Sequence, residues 1–290
     1  LHRHANGQER GRDHEDDQQH QHDVDERRDV DLRHRRPARS AAPPGALRAI
    51  YAQIDFGHIL TFVGDYEKAE SLLNGAVEMS IATYTEQHNV AISALDNLCF
   101  LFLQQERGEE ALGLAKRAHQ SWVQQYGDKQ PYARTLRLNI AQAMLLQNNF
   151  NGARMELEEI LSESIDSEFS TRYLAQLAFA SLEMQTGDSQ ASLDRLLVTL
   201  GTIKKLNLLM HAGRFRRGST QYIYLQTISL RGRILSELRQ WDPAEVDLVQ
   251  SHRGFQRMLG QRHPTTRKAL ARLKQHYRKT RQTEKLADLE

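Results

Sequence analysis

The apolar residues of the chain fall into helical stripes separated by short polar breaks. Leu95, Leu98, Cys99 and Phe102 are spaced to share one face of a helix, and so are Ala69, Leu72, Leu73 and Ala76. The breaks repeat: Gly64-Asp65-Tyr66-Glu67-Lys68-Ala69, Glu106-Arg107-Gly108-Glu109-Glu110-Ala111 and Asn148-Asn149-Phe150-Asn151-Gly152-Ala153. Their alanines are 42 residues apart, twice in succession, and the flanks keep step, Leu95-Asp96-Asn97-Leu98 preceding Arg137-Leu138-Asn139-Ile140 by the same 42. A repeat of this length without strand alternation predicts stacked helical hairpins. Gly, Asn and Asp at each break end one helix and start the next, and the small alanine lets the two helices cross closely.

The array is expected over residues 47–290, regular to residue 170 and degenerate over 171–290. The first three units read as 47–84, 90–126 and 131–165. A fourth break, Thr186-Gly187-Asp188-Ser189-Gln190-Ala191, puts its alanine 38 residues after Ala153. A fifth, Arg239-Gln240-Trp241-Asp242-Pro243-Ala244, comes 53 residues later, so an insertion is expected at 204–221. Residues 222–260 read as a fifth pair and 265–289 as a last pair or capping helix, with Lys285 where the small residue should stand.

With these motifs in place the chain resembles the tetratricopeptide-repeat family, in the 42-residue form of kinesin light chains and many bacterial regulators. That form carries a linker similar to Gly-x-x-His-Pro, and the linkers here read Tyr84-Thr85-Glu86-Gln87-His88-Asn89, Tyr126-Gly127-Asp128-Lys129-Gln130-Pro131 and Leu259-Gly260-Gln261-Arg262-His263-Pro264. The resemblance implies an all-α fold, a right-handed α-solenoid of stacked helical hairpins. It also implies a non-enzymatic scaffold that takes an extended peptide of a protein partner in its concave groove.

Composition changes the picture at both ends. Residues 1–46 form a separate segment: positions 1–40 hold nine Arg, ten Asp or Glu and six His, but no Lys, Ile, Phe, Tyr or Met. Such a segment cannot bury enough apolar surface to offset the entropy of ordering, so a disordered tail is expected. Its Arg-, His- and Asp-rich composition is also that of GC-rich DNA read outside a coding region, and the chain opens on Leu rather than Met. Charge is polarised along the array: residues 41–194 carry 10 Lys or Arg and 20 Asp or Glu, residues 195–290 carry 20 and 7. The single cysteine, Cys99, lies on an apolar stripe and cannot form an intrachain disulfide. No apolar run reaches the roughly 18 residues of a membrane span, and a cytoplasmic protein is the default.

No phosphate loop, nucleophile elbow or metal-ligating helix motif occurs, so no catalytic residue, metal or cofactor is expected. The surviving constellation is the inner face of the first helices. Counting back from each alanine aligns Tyr51, Asp55, His58, Phe62; Ser93, Asn97, Phe100, Gln104; Thr135, Asn139, Gln142, Leu146; and Tyr173, Leu177, Ala180, Met184. By the resemblance, Asn97 and Asn139 contact a peptide backbone, with the aromatic positions as pockets. Two other readings stay open. The basic C-terminal third could bind nucleic acid or another polyanion through Arg214, Arg216, Arg217, Arg267, Lys268, Arg272, Lys274, Arg278 and Lys279. Alternatively, the chain is the regulatory repeat segment of a larger bacterial signalling protein, a kinase or transcription regulator.

Overall fold

A computed structural model describes residues 45–163, 169–210 and 217–289. The expected disordered tail lies outside the described residues, apart from its last two positions. Twelve helices and no strand occur among the described residues. They pair as hairpins: α1 (Ala46–Val63) with α2 (Tyr66–Thr83), α3 (Asn89–Gln104) with α4 (Gly108–Tyr126), and α5 (Pro131–Leu146) with α6 (Phe150–Glu163). Then come α7 (Phe169–Gln185) with α8 (Ser189–Met210), α9 (Arg217–Glu237) with α10 (Trp241–Leu259), and α11 (Pro264–Thr280) with the short α12 (Thr283–Ala287).

Each odd-numbered helix packs on its own partner and on the next odd-numbered helix, so α1, α3, α5, α7, α9 and α11 form one layer and the even-numbered helices the other. The linkers supply the starts. His88 and His263 cap α3 and α11, each accepting a backbone N–H, from Val90 and Thr265, on Nδ1. Pro131 and Pro264 open α5 and α11, where a missing N–H costs nothing.

A second regularity sits in the turns. The residue five positions before each small residue adopts a left-handed conformation: Gly64 before Ala69, Glu106 before Ala111, Asn148 before Ala153, and Arg239 before Ala244. The fourth turn obeys the same rule from Gly187, which makes Ser192 the counterpart, completely buried with its hydroxyl donating to Ala180 O at 2.6 Å. Ala191, the expected position, is only partly buried. The last turn pivots on Arg281 and points to Leu286, not Lys285. Both sequence alignments are therefore one residue early: Ala191 follows alanine identity rather than the turn conformation, and Lys285 falls one short of the 42-residue spacing from Ala244, which reaches Leu286.

Arginines at least partly buried tie three of the hairpins internally. Arg195 pairs with both oxygens of Glu183, at 2.9 and 2.7 Å, and Arg231 with both of Asp247, at 2.6 and 2.7 Å. Arg137 bonds Glu156 at 2.9 Å and also reaches Glu159.

The array also meets itself. His263 Nε2 donates to Phe62 O, Lys268 Nζ pairs with Glu106 Oε1 at 2.7 Å, and the rings of Phe62 and Tyr222 lie 6.5 Å apart. Gly64 is required here twice over: its φ is 84°, and a β-carbon would stand 2.6 Å from Pro264 Cδ. The start of the last hairpin thus rests on the end of the first helix.

Candidate functional site

Over the first three units every position of the expected stripe on the odd-numbered helices is at least partly accessible. Tyr51, His58, Asn97, Phe100, Asn139 and Gln142 are half-buried, while Asp55, Phe62 and Gln104 are exposed. His58, Phe62 and Phe100 form one aromatic patch, with ring centroids 4.9 Å (His58 to Phe62), 5.6 Å (His58 to Phe100) and 5.7 Å (Phe62 to Phe100) apart. Tyr222 extends this patch from across the array, a contribution that the irregular spacing after residue 191 hid from the sequence.

The two asparagines are held differently. Asn97 donates through Nδ2 to Ser93 O, one turn back on its own helix, at 2.8 Å. Asn139 donates to Asp96 Oδ1 of α3 at 2.6 Å, and Tyr132 donates its hydroxyl to Asp96 Oδ2 at 2.6 Å. Each amide is thereby oriented, and neither carbonyl oxygen has a partner among the described residues. Burial pushes the Asp96 carboxyl up to about 6, against the pull of its two donors, and burial likewise raises the Tyr132 hydroxyl. Asp96 was not singled out in the sequence. The available signal was a carboxyl between Leu95 and Leu98, on a helix with no basic residue.

The fourth unit departs from expectation. Tyr173 is 3% exposed, and its hydroxyl bonds Ile223 O and Thr227 of α9, so it belongs to the interior of the array. Ala180 and Met184 are buried with it. A one-residue error rotates a helix by about 100°, which moves the stripe from the open face to the packed one. Anchored on Ser192 instead, the stripe becomes Leu174, Ala178, Ser181 and Gln185, whose burial runs from core at Ala178 to exposed at Gln185.

Among the polyanion candidates, Arg214 and Arg216 lie outside the described residues, and so does the side chain of Arg217. Anchoring on Leu286 puts Lys268, Arg272 and Lys279 on the inner stripe of α11. Lys268 is paired with Glu106, and Lys279 Nζ with Glu237 Oε1 at 2.7 Å. Arg272 donates to Ser229 Oγ at 2.9 Å, and burial first, then the neighbouring Arg233, lowers its guanidinium to about 10. Of these three only Arg272 is withdrawn from solvent, while Lys268 and Lys279 are exposed but each paired with a carboxylate; Arg267 and Arg278 are exposed and Lys274 half-buried.

Cys99 is buried, its thiol donating to Ala111 O at 3.4 Å, and burial raises its pKa, so it is a packing residue. No cluster of three or more His, Cys, Asp or Glu suited to a metal occurs among the described residues. No described helix is long and apolar enough to cross a membrane.

The comparisons agree with this architecture. The family model described as tetratricopeptide repeat matches residues 90–162, the stretch from α3 to α6. Two solved structures of a putative kinesin light chain from Podosopora anserina with nearly identical TPR-like repeats, one of them a single-residue variant, are similar in fold. The variant has 17% identity and a TM-score of 0.52, the other 16% and 0.50, and each match covers 73% of this chain and 97% of that one. No curated protein sequence matches. Residues 90–162 match the tetratricopeptide-repeat family, and the hairpins stacked on either side of them continue the same helical-hairpin fold.

Proposed function

We propose that the chain is a non-enzymatic scaffold that binds an extended peptide segment of a protein partner along the inner stripe of α1, α3 and α5. The observation that carries this reading is the pair of oriented amides. Asn97 and Asn139 each spend one N–H on the array and keep a carbonyl oxygen without a partner among the described residues, Asn97 one helical turn from Phe100 of the aromatic patch. A peptide backbone N–H is the donor such oxygens need, and His58, Phe62 and Phe100 offer a place for an apolar side chain. The contacts that bring the array onto itself lie at the C-terminal ends of α1 and α3. Tyr51, Ser93 and Thr135 lie at the other ends, so the stripe is approached from their side.

The partner is identified by pull-down with the full chain, and its binding segment by peptide tiling. Asn97→Ala is the cleaner variant, because Asn139→Ala also strips a donor from Asp96. Loss of one backbone hydrogen bond is worth on the order of 1 kcal/mol, so affinity should fall about fivefold for Asn97→Ala and more than tenfold for the double variant. Unchanged affinity in the double variant, together with loss of binding on charge reversal at Arg267 and Arg278, would move the working surface to the basic end.

A further inference from the structure

The first helix carries a face that the rest of the array leaves bare. Phe56, Ile59 and Val63 are 53%, 55% and 59% exposed, and Ala49 and Ala52 continue the same line toward the helix start. Positions 49, 52, 56, 59 and 63 follow the a/d spacing of a heptad, so they form one seam along an 18-residue helix. The 42-residue repeat says what such a seam does elsewhere in the molecule. Its first four positions correspond to Ala91, Ala94, Leu98 and Leu101 on α3, and to Ala133, Leu136, Ile140 and Ala143 on α5. All eight are buried, at 6% exposure or less, beneath the preceding hairpin. The seam on α1 is thus built to receive another helix, and no described helix covers it.

We propose that a second copy of this chain covers the seam, α1 packing antiparallel on α1 about a two-fold axis. The order of side chains along the seam supports this occupant. It is small at one end and large at the other, so the antiparallel arrangement sets Ala52 opposite Phe56 and Ala49 opposite Ile59 on both sides of the axis. Large side chains meet small ones in every layer, as close packing requires. A parallel pair would instead oppose Phe56 to Phe56 and leave Ala49 facing Ala49 across a gap. Residues 1–40 are a poor alternative cover, since they hold no Ile, Phe, Tyr or Met. Two seams of this length bring together roughly 1,000 Å² of surface in total, the lower end for a specific interface, so the dimer should form in the micromolar range. The peptide groove lies on a different face of the array and stays open.

Sedimentation equilibrium of the full chain across about 1–200 µM should show a monomer–dimer equilibrium with no larger species. Phe56→Glu and Ile59→Asp should each weaken it at least tenfold without lowering the melting temperature measured at concentrations where wild type is monomeric, because both side chains are solvent-exposed in the monomer. Geometry is tested by disulfide capture: Ala49→Cys and Ile59→Cys proteins should cross-link when mixed and not when each is alone, with buried Cys99 silent. A monomer over the whole range overturns the proposal. So does a dimer indifferent to Phe56→Glu, self-cross-linking of either single cysteine variant, or a monomeric full chain that dimerises once residues 1–40 are removed, which would make the tail the cover.

Discussion

Replacing Asp96 by asparagine should make the protein less sensitive to pH between about 4 and 6. The carboxyl sits between Tyr132 and Asn139, and burial lifts it from an ordinary 3.8 to about 6. Below about pH 3 it is protonated in both the folded and unfolded chain and has no effect on their balance. As the pH rises from 4 to 6, the unfolded chain releases this proton while the folded one retains it, so the unfolded state is favoured. The stability lost is roughly 2 to 3 kcal/mol by pH 7. The substituted amide would keep an oxygen for one donor, and Asn139 can turn its own amide over to accept from the new N–H. Other carboxyls act in the opposite sense: Glu106 and Glu159, held low by Lys268 and Arg137, add stability as they ionise. Both proteins share those groups, so subtracting one from the other isolates Asp96. The assay is urea denaturation of wild type and Asp96→Asn at pH 4.0 and 7.5. The variant should gain about 2 kcal/mol relative to wild type between the two. An equal difference at both pH values would refute the reasoning, because it would mean that Asp96 ionises in the folded protein as it does in water.

Ala111→Leu should overpack the crossing of α3 and α4, where Ala111 is completely buried, and cost about 1 to 3 kcal/mol by denaturant titration. Gly64→Ala and Gly187→Ala share a left-handed backbone, worth about 1 kcal/mol or more in strain, but only the β-carbon at 64 meets another residue, Pro264. Gly64→Ala should therefore lower stability more than Gly187→Ala, and equal effects would show that the contact contributes nothing. Removing residues 1–40 should leave the melting temperature unchanged by calorimetry, since the segment lacks the residues for a core.

The hairpins at the start of the array were legible because Ala69, Ala111 and Ala153 recur in one register and because each lies in the core. Beyond them the alanine was a poor marker. What the turn demands is a residue able to take a left-handed backbone, followed five positions later by something that fits the crossing, and serine meets the second need as well as alanine. Choosing Ala191 over Ser192 turned α7 by one position and brought buried Tyr173 into the candidate site. Asn97 and Asn139 could be placed on the inner stripe, but not their tethers. The tether of Asn139 depends on Asp96 from a neighbouring unit, which only the stacking of α5 on α3 brings within reach. Tyr222 and the contacts of His263 were invisible for a further reason, since they follow from rotations accumulated over five hairpins and no local pattern encodes that sum.

The hydrogen bond from His263 to Phe62 joins residues about two hundred positions apart, which changes how the protein should come undone. In an open array each unit rests on its neighbours alone, so the ends fray first and stability is close to a sum of local terms. Here the two places most prone to fray hold each other. Amide hydrogens of α1 and α11 should exchange together, at a rate set by one shared opening, and loss of the last hairpin should expose the first. The same join forms late in folding, because its loop spans nearly the whole array, so the hairpins assemble as an open coil before it closes.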